Sequence, residues 1–125
     1  MKARWILSLG LMAGSLMLAG CTGGTSSYTP NMGGDAHNGR TLIVHYGCGA
    51  CHIIPGIYTA RGLVGPPLYF YGRRTIIAGE LPNSTENLIR WLRNPPAVEP
   101  GTAMPNLGLN QQQARDIAAY LDSLQ

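Results

Sequence analysis

Five consecutive residues, Cys48-Gly49-Ala50-Cys51-His52, constrain this chain more than any other feature. Two cysteines separated by two residues and followed directly by histidine are typical of a covalent attachment site for a c-type haem. Thiols at this spacing on one helical turn can reach the two vinyl groups of a haem, and His52 then lies under the iron as a ligand. Thioether bonds hold the cofactor without a large core, which suits a small chain.

Other interpretations of the motif remain open at this point. A thioredoxin-like redox pair requires a neighbouring β-α-β pattern, and the sequence has none. A zinc site requires a second pair of ligands, which His37 and His45 do not supply. A disulfide between Cys48 and Cys51 would close a short, strained loop. The composition favours haem, because a chain with 12% charged residues, 17 Gly and 9 Pro needs more than its own side chains to build a core.

Residues 1–20 have the features of an export signal. A short basic region is followed by an apolar run that is too short to span a bilayer, which takes about 20 residues. The ending Leu18-Ala19-Gly20-Cys21 resembles a bacterial lipobox, and this resemblance implies cleavage before Cys21 and lipidation of its thiol. The alternative is an ordinary signal that is cleaved elsewhere.

Two further segments follow the signal. Residues 21–34 are rich in Gly, Ser and Thr and are predicted to form a flexible tether behind the lipidated cysteine. Residues 35–125 are predicted to form one small domain. After residue 20 the chain carries seven Arg, no Lys and six acidic residues. A nucleic-acid partner is therefore excluded on this reading, because phosphate binding needs a basic patch.

Met104 is the candidate for a second axial iron ligand. It lies in the sequence Pro-Gly-Thr-Ala-Met-Pro, which opposes regular helix and favours an extended loop. Packing of Met104 in the core is the alternative. His45 comes seven residues before His52 on the same predicted helix, so we expect it on the surface, and His37 is expected to be exposed. A His52/Met104 iron has no open position, which favours electron transfer over O₂ activation and raises the reduction potential.

The chain from Gly39 to Leu124 resembles a class I monohaem cytochrome c. The resemblance rests on the glycine of the first helix, on the haem-binding pentapeptide and on a Gly-Pro-x-Leu segment that includes Pro66 and Leu68. It implies an all-α fold of three to four helices around one haem c, covalently attached through Cys48 and Cys51. The Pro66 carbonyl is implied to accept a hydrogen bond from His52, and Leu68 is implied to pack on the haem.

The same resemblance extends over the C-terminal half. The Leu-rich helix, the Asn-Pro pair and the Pro-Gly-x-x-Met segment match the family, with Trp91 in place of a common haem-facing Tyr. The late aromatic Tyr120 is implied to pack near Gly39. The tryptophan that bonds a haem propionate in mitochondrial-type members has no counterpart, and Arg73 or Arg74 is the candidate replacement.

Residues 75–83 and 87–92 are similar to the haem domain fused to subunit II of some bacterial terminal oxidases. This likeness implies an electron-transfer protein rather than an enzyme, tethered by lipid at the periplasmic face of a bacterial membrane. It would carry single electrons in a respiratory chain, from a quinol–cytochrome c reductase or a dehydrogenase to a terminal oxidase. Alternatives are an integral haem subunit of an oxidase or dehydrogenase, a haem-based sensor or peroxidase, and a haem-free structural lipoprotein. No lysine follows residue 20, which argues against a strongly basic docking face.

Helices are predicted over 35–46, 85–93 and 111–124 from apolar periodicity and from stop signals. Asn110 and Gln113 have the spacing of a capping box. Pro95 and Pro96 are expected to end the second helix. Residues 54–82 are expected to be mostly loop, and no strand pattern is evident.

Overall fold

The computed structural model describes residues 33–125, so the predicted signal 1–20, the lipidation site Cys21 and the tether up to residue 32 lie outside the described residues. Within 33–125 the chain forms four α-helices and one small antiparallel hairpin, which confirms the predicted all-α class. In chain order these are α1 (Ala36–His45), β1 (Ile76–Ile77), β2 (Leu81–Pro82), α2 (Thr85–Arg93), α3 (Pro95–Val98) and α4 (Gln111–Asp122).

Local sequence signals account for the ends of the long helices. The Asp35 side chain caps α1 by accepting hydrogen bonds from the backbone N–H groups of His37 and Asn38. Ser84 caps α2 in the same way. Asn110 and Gln113 form the predicted reciprocal capping box at the start of α4. The bounds of α2 agree with the prediction, whereas α4 ends two residues earlier than predicted, at Asp122.

Two elements were not expected from the sequence. The hairpin pairs Ile76 with Pro82 and Ile77 with Leu81, and each strand is only two residues long. The proline pair does follow the end of α2, but Pro95 then starts the short helix α3. Proline fits the first turn of a helix because its missing N–H would have had no partner there.

The core lies where α1 and α2 pack against α4. Ile43, Leu88 and Ile117 are almost fully buried at these contacts. Gly39 of α1 lies directly on the backbone of Asp116 and Ile117, so the two helices cross at close range. Tyr120, one turn later on α4, donates a 2.6 Å hydrogen bond to the Pro55 carbonyl. Its packing near Gly39 stays a prediction.

Gly33 and Gly34, the last residues of the predicted tether, contact α4. The Gln112 side chain donates a 3.1 Å hydrogen bond to the Gly33 carbonyl. Gly34 is buried against the backbone of Arg115. The chain therefore enters the domain beside the first turns of α4. Within the described residues, every helix is too short or too polar to cross a membrane.

A buried carboxylate, Asp116, joins the start of α1 to α4. It is 3% exposed and accepts hydrogen bonds from the Asp35 backbone (2.9 Å), the Asn38 side chain (2.7 Å) and the Gln112 side chain (2.8 Å). Burial alone would raise the pKa of Asp116, but the three hydrogen bonds outweigh burial and the net pKa is lowered.

We expect Asp116→Asn to destabilise the fold at neutral pH by about 1–3 kcal/mol, because the amide NH₂ would face donors that need an acceptor. Since the folded-state pKa lies below the unfolded value of 3.8, the ionised Asp116 stabilises the protein above about pH 4. That contribution is lost as the pH falls through the folded-state pKa. Denaturant unfolding from pH 7 to pH 2 should therefore show that the free energy of unfolding falls less steeply with acid in Asp116→Asn than in the unchanged protein. Parallel pH curves for the two proteins would contradict this role of Asp116.

Candidate haem site

The pentapeptide forms a compact turn directly after α1. Gly47 has a positive φ of 70°, which turns the chain out of α1 into the 3₁₀ segment Cys48–Ala50. The backbone N–H groups of Cys51 and His52 both donate to the Cys48 carbonyl, at 3.2 and 3.0 Å. The two thiols are free and half-buried on this turn.

The segment 61–68 is fixed onto the pentapeptide by backbone hydrogen bonds. Gly62 N–H donates to the Gly49 carbonyl (3.0 Å), and Gly65 N–H donates to the Cys51 carbonyl (2.8 Å). This arrangement brings the Pro66 carbonyl within 2.8 Å of His52 Nδ1. A carbonyl oxygen only accepts, so Nδ1 must carry the proton and Nε2 is left with a free lone pair.

A cavity of about 410 Å³ begins at this turn and extends under α2 and the hairpin. Cys48, Cys51 and His52 line it, together with Met104 from a distant loop. Most of the remaining wall is apolar. Its large apolar side chains are Tyr46, Val64, Leu68, Tyr71, Ile76, Ile77, Leu88, Trp91, Leu92, Leu107 and Leu121.

The structure brings the site residues predicted from the sequence together, with one exception. Pro66, Leu68 and Trp91 line the same cavity as the pentapeptide. Met104 is half-buried, and its backbone N–H donates to the Thr102 hydroxyl at 3.2 Å, which fixes the loop that carries it. His37 and His45 are exposed, as expected.

The two candidate arginines separate clearly. Arg74 is half-buried, lines the cavity and donates to the Pro67 carbonyl, with its guanidinium 5.1 Å from the centre of the Tyr71 ring. Arg73 is exposed outside the cavity, and its guanidinium lies 5.5 Å from the centre of the Phe70 ring. Of the two, only Arg74 lines the cavity, because the 3₁₀ turn Tyr71–Arg73 directs consecutive side chains to different sides. A propionate contact by Arg73 or Arg74 stays a prediction.

Burial keeps two ionisable groups of the cavity in their neutral forms. Burial raises the pKa of the Cys48 thiol, and the nearby Cys51 adds to the effect against an opposing backbone hydrogen bond. A protonated thiol is a poor nucleophile, so burial lowers the reactivity of Cys48 in disulfide exchange. Burial also raises the pKa of the Tyr71 hydroxyl to about 12, although the adjacent Arg74 lowers it slightly.

These residues fit a covalently bound haem. An apolar cavity holds two free thiols at its edge, an imidazole with a fixed tautomer and a thioether. The charged residues lining the described part of this cavity are Arg74 and Glu99. The sequence pattern did not predict that Ile76, Ile77 and Ala78 of the hairpin line the cavity, because they reach it only through the fold of residues 69–83.

Gly65 leaves the space that the His52 ring occupies. A Cβ at position 65 would lie 2.6 Å from His52 Nδ1 and closer still to the neighbouring ring carbon. We expect Gly65→Ala to displace the ring, to lengthen the Nδ1–Pro66 hydrogen bond and to lower the free energy of unfolding by about 1–3 kcal/mol. The midpoint potential should shift as well, because this bond tunes the imidazole.

Gly101→Ala is the matched control for Gly65→Ala. Gly101 lines the same cavity, but a Cβ there would meet no heavy atom within 4 Å. Unfolding curves and potentiometric titrations of both variants should separate them. Equal behaviour would mean that the ring position does not depend on Gly65.

The helical fold and the two-cysteine site define a small haem-binding electron-transfer domain. The family model of cytochrome c matches residues 36–125, and the chain belongs to this family. Its members bind haem c covalently through cysteines, here Cys48 and Cys51.

The similar proteins are subunits of a larger enzyme. The chain is 36% identical over 90 residues to cytochrome c oxidase subunit 2 of Alkalihalophilus pseudofirmus, covering 71% of this chain and 25% of that protein. The same subunit of Bacillus sp. strain PS3 is 35% identical over 66% of this chain and 24% of its own length. That of Bacillus subtilis is 29% identical over 71% of this chain and 26% of its own length. The chain thus spans about a quarter of each relative.

Proposed function

We propose that this protein is a membrane-tethered cytochrome c that carries single electrons in a respiratory chain, to a terminal oxidase. One observation carries the proposal: Cys48, Cys51, His52 and Met104 line a single apolar cavity. The haem iron supplies the chemistry, which is the reversible uptake of one electron. The likeness to cytochrome c oxidase subunit 2 supports an oxidase as the electron acceptor.

His52 and Met104 are the proposed iron ligands. With the proton on Nδ1 bonded to the Pro66 carbonyl, Nε2 of the neutral His52 ring would be the atom available to an iron. The Thr102 hydroxyl restrains the loop of Met104. Two restrained ligands in a largely apolar cavity would rearrange little between the two oxidation states of a bound haem.

The proposed electron exit is the exposed rim of the cavity. Val64 and Ile76 line the cavity and are 75% and 50% exposed. Apolar side chains at the rim favour docking through a dry contact rather than through paired charges. We therefore expect modest salt dependence of electron transfer to an oxidase. Stopped-flow oxidation across ionic strengths tests this, and a steep loss of rate with added salt would contradict it.

Optical spectra of the exported protein test the haem and its ligands. We expect a c-type spectrum after reduction and, in the ferric protein, a weak far-red band from the iron–methionine bond. Haem without that band would exclude Met104 as a ligand and favour an open site for sensing or peroxidase chemistry. Absence of haem would exclude the proposed function.

The second candidate is an integral haem subunit of an oxidase or of a periplasmic dehydrogenase. The names of the three relatives favour it, since each contains the matching region within an oxidase subunit. Mild detergent extraction followed by size separation distinguishes the two. A carrier migrates alone, whereas a subunit migrates with its complex.

The membrane attachment is proposed from the sequence of the first 34 residues. Lipidation of Cys21 would hold the domain at the periplasmic face of a bacterial membrane, and the segment from Cys21 to Gly34 would be its tether. Intact mass measurement of the purified protein tests this. A mass that matches cleavage before Cys21 plus a diacylglyceryl group is expected, and an unmodified Cys21 would exclude the anchor.

A further inference from the structure

A polar cleft lies on the side of α2 that faces away from the haem cavity. It has a volume of about 690 Å³ and lies between α2, α3 and the loop before α4. Glu86, Ile89, Arg90 and Arg93 of α2 line it. Leu88, Trp91 and Leu92, on the other face of the same helix, line the haem cavity. The site described above uses none of the polar groups of this cleft.

The cleft adjoins the point where the chain enters the domain. The Arg93 guanidinium donates a 2.9 Å hydrogen bond to the side chain of Gln111, the first residue of α4. The next residue, Gln112, donates to the Gly33 carbonyl at 3.1 Å. Arg93 and the entry point are thus held by adjacent residues of one helix, and Arg90 lines the same cleft.

The length of the chain between Cys21 and Gly33 limits how far the cleft can lie from a lipid on Cys21. If Cys21 carries a lipid, as proposed, the intervening residues have a root-mean-square reach of roughly 20 Å. The entry point, and with it the neighbouring cleft, must then stay near the bilayer surface. Headgroups of anionic lipids present phosphates, which arginine binds through paired hydrogen bonds.

From this placement we infer that the cleft of Arg90 and Arg93 docks onto phosphate headgroups of the anionic membrane that anchors the chain. The docking directs the haem cavity away from the lipid. The inference rests on the proposed lipid tether. Two arginines strengthen docking by roughly thirtyfold, and Glu86 offsets part of this gain. The remainder is too little to recruit a free protein but enough to orient a tethered one.

Neutralising single charges inside and outside the cleft gives variants whose expected effects on docking differ in sign. Arg90→Gln should weaken docking about fivefold, since one arginine near an anionic surface is lost. Glu86→Gln should strengthen it, because Glu86 is the acidic residue lining the cleft. Arg61→Gln and Glu80→Gln remove the same charges from exposed positions outside the cleft and should change nothing.

The test uses the lipidated holoprotein on vesicles of phosphatidylcholine, alone or mixed with phosphatidylglycerol. Hydrogen–deuterium exchange should show added protection at Asn94, at Ala97 and at residues 106–111 only on the anionic vesicles, and added salt should remove it. Residues 58–64 should show no change. For each variant, the size of the added exchange protection gives the ratio of docked to undocked protein.

Two failures are distinguishable. Protein that floats with the vesicles but shows equal exchange on both lipid mixtures, or equal effects of Arg90→Gln and Arg61→Gln, would overturn the docking inference and leave the tether intact. Protein that does not float and lacks a lipid on Cys21 would overturn the tether, and the docking inference with it.

Discussion

Replacing Met104 with leucine should lower the midpoint potential of the protein and open an iron coordination position. Leucine has nearly the volume of methionine, so the cavity wall is kept while the thioether sulfur is lost. A thioether ligand raises the potential of a histidine-ligated haem, and its removal should lower the potential on the order of 0.1–0.3 V, within the roughly 0.8 V that axial ligands span. Potentiometric titration measures the change, and the far-red ferric band should disappear. Carbon monoxide should then bind the reduced protein rapidly.

Leu68→Met is the reciprocal control for Met104→Leu. Leu68 is 9% exposed and lines the same cavity, so the swap exchanges the same two side chains without touching the proposed ligand. It should cost less than about 1.5 kcal/mol and keep the far-red band. A band that persists in Met104→Leu would contradict ligation by Met104.

Gly39→Ala should be the most destabilising of the substitutions considered, although alanine is the better helix former. Helix propensity favours alanine by about 1 kcal/mol. At position 39, however, a Cβ would overlap the Asp116 carbonyl and lie 3.0 Å from the backbone nitrogen of Ile117. Both neighbours are backbone atoms of α4, which cannot rotate away. Overpacking of this kind costs about 3 kcal/mol, which exceeds the gain in helix propensity. Gly39→Ala should therefore lower the free energy of unfolding.

Denaturant unfolding of the haem-loaded protein measures this effect, with the absorption spectrum as a check that the iron ligands are intact. Gly101→Ala again serves as the control, since the added methyl group meets no protein atom within 4 Å. A neutral or stabilising Gly39→Ala would show that α1 and α4 can separate without cost, against the close crossing described here.

Local signals in the sequence were sufficient for the three longer helices, α1, α2 and α4, and for naming the residues that line the cavity around the pentapeptide. Caps at Asp35, Ser84 and Asn110 fix where helices begin, because side-chain oxygens satisfy the first free N–H groups. The pentapeptide and its spacing identify the cofactor without any knowledge of the fold, since the chemistry needs two thiols and an imidazole within one turn.

The elements that the sequence did not predict depend on tertiary contacts. The hairpin turn contains Ala78 at a positive φ of 53°, where alanine is rarely found, so of this pair only Gly79, at a φ of 78°, is a residue type that indicates a turn. Two-residue strands also leave no alternating pattern to detect. The choice between Arg73 and Arg74 depends on the direction of a single turn, which Asn83 fixes by donating hydrogen bonds to the Tyr71 and Arg74 carbonyls.

The two faces of α2 have a consequence for the path of the electron. Trp91 and Leu92 line the cofactor cavity on one side, while Arg90 and Arg93 line a polar cleft on the other. A helix with its side chains is about 10 Å across, so α2 insulates the cofactor from whatever lies against the cleft. Tunnelling slows steeply with distance, and the proposed electron exit is the exposed rim at Val64 and Ile76. With this exit, a redox partner that contacts the rim would exchange electrons quickly. A molecule that lies against the cleft behind α2 would not.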